Sequence, residues 1–135
     1  MAVTPNSIVT PQGVKSAVAL VSEANTVFNT NPPNTVKLLT AGQNGARVIR
    51  LAAIPIETVT SNFLQLYRSK DSGGAKYLCA TAMGLADTVS GTDAPNLVDF
   101  GYSEERPMLL EGNEELYVAS GIAKSYSFYA EYAEY

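Results

Sequence analysis

The sequence has no histidine. Its absence removes Ser-His and Cys-His nucleophilic catalysis, imidazole acid–base chemistry and every histidine-ligated metal site. Any enzyme built from this chain would have to work with carboxylates, lysine or tyrosine, and none is expected. Cysteine occurs once, as Cys79, which excludes an intrachain disulfide and a multi-cysteine zinc site. In the run Tyr77-Leu78-Cys79-Ala80 it reads as a small buried hydrophobe rather than a reactive thiol. Charge is also scarce: Asp, Glu, Lys and Arg make up 16% of the 135 residues, with a net charge of -4, against roughly 25% in typical soluble domains. No cluster of Lys and Arg marks a phosphate-binding surface, so nucleic acid is not an expected partner. No apolar run approaches the roughly eighteen residues of a membrane-spanning helix, and the first residues lack a basic region followed by an apolar one. Neither a membrane partner nor a signal peptide is expected.

Thr, Ser, Asn and Ala take the place of the missing charge, which suits a surface that packs against other protein. The length fits one domain with a single core. Residues 1–13, with Pro5 and Pro11 among small polar residues, read as an extended arm, because proline fixes φ and removes a backbone donor. Val3, Ile8 and Val9 are its candidate anchors on a neighbouring subunit. Residues 14–135 read as a β-sandwich or jelly roll of about eight to ten short antiparallel strands, with frequent turn signals and no amphipathic helix. Residues 62–69 form the clearest strand, with Leu64 and Leu66 on one face and Phe63, Gln65 and Tyr67 on the other. A turn at residues 70–74 pairs it with residues 76–82 as a hairpin, and residues 83–95 connect the sheets. The run Gly42-Gln43-Asn44-Gly45 reads as a tight reversal, with Gly45 at positive φ, that pairs the strands on either side of it. Arg47 and Arg50, three apart on the second strand, are expected on opposite faces, so that one of them points inward or into an interface, and both are candidate interface residues.

No cofactor or metal is expected. The carboxylates fall in turn-like segments, where paired acid–base catalysis and a calcium loop are both poorly supported. Residues 42–45 lack the Lys-Ser/Thr that would make a phosphate loop. Tyr126, Phe128, Ala130 and Tyr132 alternate along the last strand, so that strand packs its bulk against a sheet or another subunit. Tyr129, Tyr132 and Tyr135 are candidate interface residues; with Tyr117 and Tyr126 they could alternatively stack on a sugar.

The run Val36-Lys37-Leu38-Leu39-Thr40-Ala41-Gly42-Gln43-Asn44-Gly45-Ala46-Arg47-Val48, then Leu64-Gln65-Leu66-Tyr67, Pro107-Met108-Leu109-Leu110 and Leu116-Tyr117-Val118-Ala119, resembles a group of small tailed-bacteriophage virion proteins. The resemblance covers about residues 35–135 and leaves the arm outside it. It implies a capsid decoration, or cement, protein with a β-sandwich fold, sited on the capsid surface of the virion and made in the host cytoplasm. Its expected partners are the major capsid protein and further copies of itself, as a homotrimer. A tail, baseplate or fibre-associated protein is the structural alternative, and a carbohydrate-binding host-contact sandwich the alternative from another class.

Overall fold

Short alternating segments punctuated by Gly, Pro and Asn turns favour strands over helices. A computed structural model, which describes residues 13–135, contains nine strands and no helix among the described residues. They are β1 (Gly13–Val21), β2 (Val36–Thr40), β3 (Ala46–Pro55), β4 (Asn62–Ser69), β5 (Tyr77–Gly84), β6 (Val98–Asp99), β7 (Met108–Leu110), β8 (Glu115–Ser120) and β9 (Tyr126–Glu134). One sheet runs β1-β9-β3, with β7 and β6 end to end along the far edge of β3. The other runs β2-β8-β4-β5, and every strand pairing is antiparallel. Leu51 and Phe128 of the first sheet share a core with Leu66 and Val118 of the second, all at 0% exposure. The result is a jelly-roll sandwich. Val3, Pro5, Ile8, Val9 and Pro11 lie outside the described residues.

The run Gly42-Gln43-Asn44-Gly45 is a turn, as its composition predicts: the Gly45 amide donates to the Gly42 carbonyl over 3.0 Å, and Gly45 has φ +91°. It does not make a hairpin. β2 belongs to the four-stranded sheet and β3 to the five-stranded one, so the turn is a corner that carries the chain from one layer to the other. A second corner, at residues 111–114, carries it back from β7 to β8. The two corners interlock. The Asn113 amide donates to the Gly42 carbonyl over 3.0 Å and the Ala41 amide to the Glu114 carbonyl over 2.8 Å. A Cβ on Gly45 would lie 2.5 Å from the Leu110 carbonyl oxygen, and one on Gly112 would collide with the Gln43 carbonyl.

An ion pair closes this end of the sandwich. Arg68 of β4 donates through Nε and Nη2 to the two carboxylate oxygens of Glu114, each over 2.7 Å, and Nη2 also reaches the Leu109 carbonyl at 2.9 Å. The Glu111 amide donates to Glu114 Oε1 over 2.9 Å. The Glu114 side chain is only 1% exposed. Burial alone would raise its pKa, but the Arg68 hydrogen bonds, the Glu111 amide and the nearby positive charges outweigh it and hold the carboxyl below the usual range.

Two further features depart from simple alternation. Ala46 and Val48 point inward on β3, but so do Leu51 and Ala53, because a bulge between Val48 and Arg50 inserts one residue against β9. That shift puts Arg47 and Arg50 on the same outer face, not on opposite ones. On β4 four consecutive residues, 64–67, are buried. Leu64 and Leu66 enter the core; Gln65 and Tyr67 point away from it and are covered by the connection from β1 to β2. Asn25 of that connection donates through Nδ2 to Gln65 Oε1 over 2.7 Å and to the Tyr67 hydroxyl over 2.8 Å. Gln65 Nε2 returns a bond to the Asn25 carbonyl over 2.9 Å. The expected hairpin of β4 and β5 is present. On β5, Cys79 is exposed as a residue, contrary to the expected burial; only its sulfur is sheltered, against the Leu66 carbonyl, and desolvation pushes the thiol up to about 11.

Replacing Gly45 with Val forces a β-branched residue into positive φ and against Leu110, so chemical denaturation should show a loss of about 2–3 kcal/mol. Arg68→Met leaves a buried carboxylate unpaired and should cost about 3 kcal/mol. Because the folded pKa of Glu114 lies below its ordinary value of 4.5, its contribution is present above pH 4.5 and is lost as the pH falls through the folded value. Denaturation midpoints measured down through that range should therefore fall less steeply for Glu114→Gln than for the unsubstituted protein.

Candidate interaction surface

The two sheets expose their outer faces unequally. The outer face of the four-stranded sheet carries the 22–35 connection, pinned by the Asn25, Gln65 and Tyr67 network and by the Asn25 amide on the Ser120 carbonyl at 2.8 Å. Lys76 lies 4.5 Å over the Tyr117 ring on the same side. No described segment covers the outer face of the five-stranded sheet.

Strand register sets that face out in cross-strand rows. Leu20, Ser127 and Ile54 form one row; Val18, Tyr129 and Ala52 form the next. Ser16, Glu131 and Arg50 follow, and then Val14, Ala133 and Arg47, with Leu109 of β7 beyond Arg47. The apolar side chains at the margins are open to solvent: Val14 is 81% exposed, Val18 72%, Leu109 60% and Leu20 54%. Small residues at the centre, Ala52 and Ala133, are sheltered by their neighbours. None of Arg47, Arg50 or Glu131 forms an ion pair among the described residues. Arg47 Nε is buried and has no hydrogen-bond partner among the described residues, a state that costs free energy unless a further group supplies an acceptor. Partial desolvation and the charge of Glu131 push the Tyr129 phenol up. Apolar side chains and unpaired charges of both signs on one sheet face are chemistry for binding protein.

Of the residues the sequence singles out for interfaces, this face holds Arg47, Arg50 and Tyr129. Tyr135 follows β9 and is half-buried, its amide donating to the Gly45 carbonyl over 3.3 Å. Tyr132 is not on the face. It shares the parity of Phe128 and is 7% exposed in the core, so it corrects the expected interface role. The parity that buries Tyr132 and Tyr126 also disperses the tyrosines expected to form a sugar platform: Tyr117 and Tyr129 lie on the outer faces of different sheets. The sequence places Val18 and Leu20 on one side of a plausible strand, a side Val14 shares, but an Ala-rich run gives little clue to which strand face meets solvent. Their period-two spacing was the available signal.

Several of the acidic residues hold backbone. Asp87 Oδ2 accepts from the Asn96 amide over 2.7 Å and Asp99 Oδ1 from the Gly101 amide over 2.8 Å. Among the described residues there is no group of three or more Cys, Asp or Glu placed to hold a metal ion.

No protein family and no curated relative matches this chain. Among solved structures it is similar to Eiger TNF from S. frugiperda, with a TM-score of 0.56 and 10% identity over 93% of each chain. At that identity the likeness establishes the jelly-roll fold alone.

The opposite placements of two tyrosines three residues apart give a direct check. Tyr132→Ala empties part of the core and should cost about 3–5 kcal/mol, whereas Tyr129→Ala should cost under about 1 kcal/mol when both are measured by equilibrium denaturation.

Proposed function

We propose that this protein is a head decoration protein of a tailed phage. In this reading it binds the outer surface of the capsid, bridges neighbouring major capsid subunits and stabilises the shell without performing chemistry. Copies join as a homotrimer through the outer face of the five-stranded sheet, and the trimer sits over a junction between capsomers. One observation carries the reading: the sheet face bounded by Val14, Val18, Leu20 and Leu109 carries exposed apolar side chains with no covering connection among the described residues, whereas the 22–35 connection covers the Gln65 and Tyr67 part of the opposite face. The sparse charge and the virion-protein motifs point the same way. Cement of this kind needs only buried contact area, on the order of 800 Å² per partner, repeated over many sites so that individually modest contacts add up.

Removing the protein from phage particles should lower their resistance to heat and osmotic shock, and adding back the purified protein should restore it. A Val18→Glu protein should keep its folded stability, because Val18 is 72% exposed, yet fail to restore resistance. Particles equally resistant with and without the protein would contradict the proposal.

A further inference from the structure

The sandwich has an open seam between β5 and β6, the outermost strands of the two sheets on that side. A groove of about 460 Å³ runs along it, with Thr81, Ala82 and Met83 on one wall and Leu97, Val98 and Asp99 on the other. Pro55, Phe100 and Tyr126 also line it. β5 pairs with β4 on one side only and has no other strand partner among the described residues. Sheet edges are normally blunted by charge, proline or cover, because a free row of amides and carbonyls is a template for another strand. The sequence of β5, Tyr-Leu-Cys-Ala-Thr-Ala-Met-Gly, has neither charge nor proline. Its bulge lies opposite Leu66 and Tyr67, so residues 80–84 form five regular positions against β4.

We propose that this groove receives residues 6–10 from a neighbouring copy of the chain, added as a strand along β5. That segment, Asn-Ser-Ile-Val-Thr, is uncharged, carries the β-branched Ile8, Val9 and Thr10, and matches the five regular positions in length. Pro5 and Pro11 bracket it. Having no N–H, they confine the pairing to an outermost strand, which is what the edge of β5 offers. Alternation turns either Ile8 or Val9 into the groove, against Met83 and Leu97.

Reach decides which copy supplies the segment. β1 starts at Gly13, opposite Glu134, whereas Pro55 and Tyr126 place the groove at the other end of β9. Strand rise makes that separation about 26 Å along the sheet, and the steps from β1 through β9 and β3 to β6 add about 14 Å across it. From Thr10 to Gly13 the chain spans at most about 11 Å. Its own groove is out of reach, so the exchange is between copies. The inference rests on the β5 edge and the seam, and stands apart from the capsid reading and from the bare sheet face.

The test uses the full chain with Cys79→Ser, Ile8→Cys and Thr81→Cys together, oxidised with copper phenanthroline and read on a non-reducing gel. Interchain disulfide should form several-fold more than in a matched protein that carries Thr30→Cys in place of Thr81→Cys. Mixing proteins that carry Ile8→Cys alone and Thr81→Cys alone, each with Cys79→Ser, should give the mixed dimer. Circular dichroism before oxidation checks folding, and because Thr81 and Thr30 are both exposed neither substitution should disturb it. Interchain yield no greater than in the Thr30→Cys protein would overturn the proposal, as would a crosslink formed only within one chain.

Discussion

The ion pair between Arg68 and Glu114 ties β4 of one sheet to the corner through which the chain has just left the other. Both carboxylate oxygens take a guanidinium N–H, and one also takes the Glu111 amide, so the buried charge is solvated by the fold itself. Around this contact the corners at residues 42–45 and 111–114 pass each other closely enough that side chains at Gly45 or Gly112 would strike backbone. The layer change of β2 to β3 and the return of β7 to β8 are locked together. Where β3 and β8 lie, and so which faces the two sheets turn to solvent, follows from that lock.

Most strands were legible in the sequence because burial on one face leaves a period-two signature. The alternation in residues 62–69 predicts β4 at its observed bounds, and the alternating aromatics of β9 predict a packed stripe. What the sequence concealed was non-local. Gly-Gln-Asn-Gly specifies a reversal and positive φ at Gly45, but the same local chemistry serves a hairpin or a corner, and the choice depends on β8 and β9, far along the chain. The bulge near Arg50 carries no glycine to announce it, so counting residues put the two arginines on opposite faces when the extra residue brings them together. Tyr132 carries the composition of an interface residue, but the parity it shares with Phe128 turns it into the core. The Asn25, Gln65 and Tyr67 network joins residues about forty positions apart and leaves no local pattern at all.

The functional reading grows from an asymmetry that this topology creates. The chain spends residues 22–35 covering the Gln65 and Tyr67 part of one sheet and leaves the other with a margin of exposed Val and Leu around Tyr129, Arg50 and Glu131. In the proposed trimer these rows meet a different surface of the neighbouring copy, as three-fold closure requires. Burying them in an assembly removes apolar surface from water and supplies acceptors for Arg47 and Arg50.

Sedimentation equilibrium of the purified protein, over concentrations from nanomolar to tens of micromolar, addresses self-association through the five-stranded sheet most directly. The account predicts the mass of a trimer for the unsubstituted chain and a shift to monomer when Val18 and Tyr129 are both replaced by Glu. A folded monomer across the whole range, or a trimer indifferent to both substitutions, would contradict it.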